Sequence, residues 1–182
     1  LAQEMPIKFS FCEVGVYKSQ TLVMMDLIAQ MQSKTVLRVG ITPLNSEGGH
    51  PESDYEADIK TLHEFAGVPM DLHIIKGRSQ YPMVMLEAQL ASGNGYDMAY
   101  IDGNHATDEV TLDILNYLPM IKVGGFLIVD DCCNGWDLPQ GYFGGIQSVT
   151  DAVNSLLPPT VERDDVEYLF NCCHVRVYRK IK

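Results

Sequence analysis

The sequence predicts an α/β protein: a mostly parallel sheet of seven strands, helices on both faces, and an antiparallel β-hairpin at the C-terminus. Three observations carry this. Short apolar, β-branched runs alternate with longer stretches whose apolar residues recur every three and four positions. The runs are nearly continuous in apolar residues, as suits central parallel strands covered on both faces. The last segment, VEYLFNCCHVRVYRK, sets two alternating runs so close together that a tight hairpin must join them.

Taken in order, FSFCEV (9–14) is the first strand and the helical pattern from Ser19 to Gln32 follows it. TVLRVGI (35–41) is the second strand, with a helix over 53–65 that Gly67 ends. DLHII (71–75) is the third, followed by a helix over 82–90 and the Gly93-Asn94-Gly95 turn. DMAYI (97–101) is the fourth, with a helix over 107–120 before Gly124-Gly125. FLIV (126–129) is the fifth, and the helix over 145–157 leads to the hairpin. Five β/α units and a hairpin leave one strand antiparallel, and ligands of such sheets bind in the crevice at the carboxyl ends of the strands.

At 182 residues and 46% hydrophobic, the chain is expected to form one domain with a sizeable core. Its 24 acidic and 13 basic side chains give a net charge of −11, which repels phosphate backbones and anionic lipid surfaces, so neither nucleic acid nor membrane is an expected partner. No apolar run reaches the length of a membrane span, and the chain opens on Leu1 without a basic-then-apolar leader. Five cysteines, including the vicinal pairs Cys132-Cys133 and Cys172-Cys173, lack zinc-site spacing and do not resemble a secreted disulfide framework. Free thiols in a cytoplasmic protein are the expectation.

The strand ends hold the chemistry. EVGVYKSQT (13–21) is a Gly-containing turn into a helix whose first amides suit an anion or a polar cofactor tail. GRSQ (77–80) offers a hydroxyl and an amide suited to a heterocycle edge. Asp102, with His105 one turn on, ends the fourth strand, and Asp130-Asp131 end the fifth. If those strands are neighbours, three carboxylates converge, and a hard divalent cation such as Mg²⁺ relieves their repulsion. Asp before Gly-Asn is also a common turn former, and Asp after a strand can cap a helix. His105 at that mouth suits removal of a hydroxyl proton as a neutral imidazole, whereas His50, His63, His73 and His174 read as packing or surface residues.

In this order the motifs resemble those of class I S-adenosylmethionine-dependent methyltransferases, and more narrowly the metal-dependent O-methyltransferases, over residues 9 to 180. EVGVYKSQT is similar to the Glu-x-Gly-x-Tyr-x-Gly-x-Ser motif of the catechol enzymes, GRSQ to their Gly-x-Ser-Gln adenine turn, and IDGNH to the Ile-Asp-Gly-Asp-His motif of the sugar and macrolide enzymes. VGGFLIVDD resembles the Pro-Gly-Gly stretch that runs into the metal carboxylates. The resemblance implies a Rossmann-like methyltransferase fold, with Glu13, Gly15, Tyr17, Ser19, Thr21, Thr42, Gly77, Ser79, Gln80 and Asp102 around S-adenosylmethionine. It implies Asp102, Asp130 and Asp131 on Mg²⁺ or another divalent cation, and His105 as the base. Asp102 and Asp130 lie 28 positions apart, room for one helix and one strand.

The chain departs from the family in two places. Ser19 replaces a glycine, and its side chain is expected to crowd the methionine moiety. Gly40 and Thr42 stand where an acid usually holds the ribose, leaving Thr42 and Glu47 of the polar loop 43–52 as substitutes. Two readings follow. One is Mg²⁺-assisted methyl transfer to a hydroxyl of a sugar, glycoside or phenol; the other is a methyltransferase-like binding or assembly subunit that has lost the donor. Trp136, Tyr142 and Phe143 are candidates to wall an acceptor pocket, and a cleft with only eight residues ahead of the first strand suggests a homodimer or larger assembly covering its open side.

Overall fold

Alternate residues of the central strands face two separate cores. Cys12 and Val14, Ala99 and Ile101, and Leu127 and Val129 point to one side; Phe9 and Phe11, Met98, and Phe126 and Ile128 point to the other. This period of two within unbroken apolar runs is what a sheet covered on both faces requires. The computed structural model describes residues 1–46, 51–133 and 143–182, so Glu47, His50, Trp136 and Tyr142 lie outside the described residues.

The elements are β1 (Lys8–Val14), α1 (Gln20–Met31), β2 (Thr35–Thr42), α2 (Tyr55–Ala66), β3 (His73–Lys76), α3 (Pro82–Ser92), β4 (Tyr96–Ile101), α4 (Thr107–Tyr117), β5 (Ile121–Val129), α5 (Gln147–Leu156), β6 (Val166–Cys172) and β7 (Val175–Lys180). They form one seven-stranded sheet in the order β3-β2-β1-β4-β5-β7-β6. Only β7 runs against its neighbours, pairing antiparallel with β5 and with β6. Residues of α1 and α2 fill one core and those of α3, α4 and α5 the other. The expected seven-stranded sheet with its terminal hairpin is therefore the architecture found. No helix among the described residues is long and apolar enough to cross a membrane, and all five cysteines are free.

Several boundaries differ from the sequence reading. Strand β5 starts at Ile121, before Gly124-Gly125, because this pair forms a bulge inside the strand: Gly124 has φ 86°, and the register against β4 shifts between Tyr96 and Met98. Helix α4 accordingly stops at Tyr117, followed by a single 3-10 turn, Leu118–Met120, around Pro119. Strand β3 starts at His73, since Asp71 is drawn off to pair with Arg38, whose buried guanidinium also donates to the Pro69 carbonyl at 2.9 Å.

The order places β1 beside both β2 and β4, the point at which chain connections leave in opposite directions and a crevice opens. Past the strand ends the backbone pairing continues: the Gly15 amide donates to Ile41 O (2.9 Å), Asp102 N to Val14 O (2.8 Å) and Asp130 N to Ile101 O (3.0 Å). Gly15 has φ 99°, and a Cβ there would lie 1.9 Å from the Asp102 carbonyl oxygen. Gly15→Ala is expected to lower the urea-unfolding free energy by about 2–5 kcal/mol, from left-handed strain plus the backbone clash. A loss below about 0.5 kcal/mol would contradict this packing.

Candidate functional site

A cavity of about 650 Å³ opens along the carboxyl edge of the sheet, from the loop after β3 to the loop after β5. Of the residues singled out from the sequence, Glu13, Gly15, Tyr17, Thr21, Thr42, Gly77, Ser79, Gln80, Asp102, His105 and Asp131 line it. Ser19 and Asp130 do not.

Ser19 occupies the cap position of α1 with φ 69°, the backbone that explains a glycine preference there. Its hydroxyl does not crowd the cavity as expected. It is buried and points back to α2, 3.0 Å from Nε2 of the fully buried His63. The His63 Nδ1–H donates to Pro69 O at 3.1 Å, which leaves Nε2 to accept from the Ser19 hydroxyl. His63 is thus a packing residue, and what it packs is the serine that holds the first turn of α1.

On the β1 side, Glu13 is buried, and its Oε2 has no hydrogen-bond partner among the described residues. Burial pushes its carboxyl up to about 7, against a hydrogen bond from Thr21 that lowers it. Tyr17 packs edge-on against Tyr55 (centroids 5.7 Å apart), forming an aromatic wall. After β2, the Thr42 hydroxyl accepts from Leu44 N at 3.2 Å, which fixes the turn leaving the strand.

The GRSQ turn is held by a residue not singled out from the sequence. Asp113 of α4 is buried, and its Oδ1 accepts from both the Ser79 hydroxyl (2.6 Å) and the Gln80 side-chain amide (2.8 Å). The Tyr117 hydroxyl, one turn further along α4, donates to Ser79 O at 2.9 Å. The legible signal is an acid on the apolar stripe Val110, Asp113, Ile114, Tyr117, where nothing but a buried partner justifies a charge-bearing group.

The three carboxylates expected to converge as one set separate into two. Ligand atoms of Asp102, His105 and Asp131 lie within 4.8 Å of one another, and so do those of Asp130, Asp131 and His174. Asp131 belongs to both groups. Its backbone is left-handed (φ 58°), and its carboxylate stays within reach both of Asp102 with His105 and of Asp130 with His174. Asp130 is occupied behind the cavity: the Tyr100 hydroxyl donates to its Oδ2, the Asp131 amide donates to Oδ1 (2.7 Å), and His174 Nε2 is 3.2 Å from Oδ1. His174 and Tyr100 were legible only through pairing. The β6–β7 turn meets the end of β5, where Cys132 N donates to His174 O (2.7 Å), and Phe143 stacks edge-on to the His174 ring (5.1 Å).

Electrostatics at the mouth follow from this crowding. Burial, then repulsion from Asp130, Asp131 and Glu13, pushes Asp102 up to about 8. His105 is half-exposed, with Nε2 2.8 Å from Asp131 Oδ2, and this bond holds the imidazole above its ordinary range. The neutral imidazole expected from sequence is therefore paired with a carboxylate. The loop is fastened from below by Ser148 Oγ, which donates to His105 O at 2.6 Å.

Asp113 gives these shifts a measurable sign. Burial raises it from 3.8 to about 7, so the folded chain keeps a proton that the unfolded chain releases between those values. The stability it contributes is complete below about pH 3.8 and is lost as pH rises through about 7. Between pH 5 and 8 the unfolding free energy of wild type is expected to fall about 1–3 kcal/mol further than that of Asp113→Asn; equal declines in urea titrations would contradict the assignment.

The sequence profile described as a methyltransferase domain matches residues 12–132. No protein of curated function matches the sequence. Among solved structures, the O-methyltransferase NovP superposes with a TM-score of 0.64 at 14% identity, over 99% of this chain and 74% of that one. CalS11, a TDP-rhamnose 3'-O-methyltransferase of calicheamicin biosynthesis, gives 0.62 at 14% identity over 98% and 74%. MycE of the mycinamycin pathway, solved with Mg and SAH, gives 0.54 at 15% identity over 96% of this chain but only 46% of its own. At such identities these structures share the fold. With the profile covering most of the chain, including the ends of β1, β4 and β5, the chain belongs to the methyltransferase-domain family.

Proposed function

We propose that the chain is an S-adenosylmethionine-dependent O-methyltransferase that methylates a hydroxyl of a small molecule (a sugar, a glycoside or a phenol) with the help of a divalent cation. The observation that carries this reading is the continuity of the cavity, since one space is lined by Ser79 and Gln80, by Glu13, and by Asp102, His105 and Asp131. At about 650 Å³ it falls within the usual range of small-molecule sites.

The residues present fit both groups. A buried carboxylate oxygen without a partner among the described residues, Glu13 Oε2, suits a cationic ammonium such as that of the methionine tail. Asp102 and Asp131 supply the oxygen donors that a hard cation prefers, and Asp130 braces Asp131 by accepting its backbone amide. The presence of Mg and SAH in MycE is consistent with that pairing of ligands. Bound S-adenosylmethionine would supply an electrophilic methyl group, and bound Mg²⁺ would lower the pKa of the acceptor hydroxyl. The protein's own contribution is placement: Tyr17 and Tyr55 wall the cavity, the GRSQ turn takes the adenine, and His105, whose Nε2–H donates to Asp131, accepts the hydroxyl proton at its other ring nitrogen, Nδ1.

Calorimetric titration with S-adenosylmethionine, with and without Mg²⁺, tests the reading directly. Micromolar binding is expected, and no binding at millimolar ligand would instead favour a donor-free binding module. His105→Ala is expected to leave donor and cation binding nearly intact while lowering kcat on an accepted hydroxyl substrate by about 10²–10⁴-fold. If His105→Ala abolishes cation binding instead, the imidazole is a metal ligand and the base lies elsewhere. Asp131→Asn is expected to weaken cation binding most, because Asp131 belongs to both carboxylate groups.

A further inference from the structure

We infer that Asp113 is a positioning residue that makes the cavity selective for a 6-amino purine, by fixing which end of the Gln80 side-chain amide faces the ligand. The inference rests on the donor reading above and concerns a residue remote in sequence from every motif.

The amide of a glutamine offers donors on one side and an acceptor on the other, and left alone it rotates to suit either kind of partner. Gln80 is not left alone. Its Nε2 donates to Asp113 Oδ1 at 2.8 Å, and the same oxygen accepts the Ser79 hydroxyl at 2.6 Å. Because Oδ1 already accepts the Ser79 hydroxyl, a proton on the carboxyl sits on Oδ2, and reversing the amide would press its carbonyl oxygen against Oδ1 with no proton between the two acceptors. The orientation is thus set from behind, leaving Gln80 Oε1 as the acceptor on a side chain that lines the cavity. An acceptor at that position suits an exocyclic amino group and is mismatched to the 6-oxo group of hypoxanthine.

The lock is itself rigid. Asp113 is 1% exposed, on the face of α4 that carries Val110, Ile114 and Tyr117 into the core, and the Tyr117 hydroxyl holds the Ser79 carbonyl at 2.9 Å. Its second oxygen, Oδ2, has no hydrogen-bond partner among the described residues and lies against the loop after β4, where a Cβ on Gly103 would meet it at 3.2 Å. One buried carboxyl therefore fastens the turn after β3 while resting against the loop that carries Asp102 and His105. A group placed only to stabilise the fold would be better replaced by an apolar side chain of the same size.

The test compares S-adenosylhomocysteine with S-inosylhomocysteine by calorimetry, so the readout is a ratio of affinities and not turnover. Wild type is expected to prefer the adenosine ligand by about tenfold or more, the usual penalty for an unmatched polar pair. Asp113→Asn keeps an acceptor oxygen and should retain the preference. Asp113→Leu should reduce it to within about twofold, as should Gln80→Leu, whereas a merely structural role would weaken both ligands in parallel and leave the ratio unchanged. Wild type that binds neither ligand overturns the donor reading and this inference together; a preference that survives in Asp113→Leu overturns only the inference. Should Asp113→Leu fail to fold, the Gln80 side-chain amide protons of the wild-type complex decide: protection of one from solvent exchange supports the lock, and free exchange of both overturns it.

Discussion

The close approach of Gly15 to the Asp102 carbonyl is the constraint on which the rest of the site depends. No side chain can occupy that space, since a Cβ would fall within 1.9 Å of the oxygen. The turn after β1 therefore lies directly against the turn after β4. Because Val14 O also accepts the Asp102 amide, the two loops are fixed by backbone and not by side chains that could swing. A glycine in a positive-φ turn brings the half of the cleft suited to a donor into contact with the half that carries Asp102 and His105.

A second constraint is electrostatic. Glu13, Asp102, Asp130 and Asp131 gather at one edge of a protein that already carries a net charge of −11. The described structure distributes this charge in layers. Asp130 is satisfied behind the cavity by Tyr100, His174 and a backbone amide, and Asp131 is paired with His105. Glu13 and Asp102 are raised toward or above neutrality by burial. The residues left least compensated are those that line the cavity, which is the pattern expected where a cation or an ammonium group is to be bound.

Much of this was legible in the sequence because parallel strands are short, apolar and punctuated by their loops. The run into Asp102 and the run into Asp130 were recognisable as strands, and strand ends are where the chemistry of such sheets lies. What could not be read was direction. Asp102, Asp130 and Asp131 looked like one metal-binding set, but among the described residues Asp131 is grouped with Asp102 and separately with Asp130, and Asp102 and Asp130 share no group. Ser19 looked like an obstruction, but its rotamer faces His63, 44 positions away. His174 and Asp113 were missed for opposite reasons. His174 reaches the site only through the antiparallel insertion of β7 beside β5, a long-range pairing. Asp113 sat in plain view on the buried stripe of α4, and an acid on such a stripe is itself a signal.

The central claim is that one cleft holds the methyl donor and a divalent cation side by side. The most direct measurement is paramagnetic relaxation of ¹³C-methyl-labelled S-adenosylmethionine bound to the protein, with Mn²⁺ in place of Mg²⁺. The account predicts that saturating Mn²⁺ broadens the bound methyl signal severely, and that Asp131→Asn, with weakened cation binding, largely restores it. A sharp methyl signal from bound donor at saturating Mn²⁺ would contradict the account.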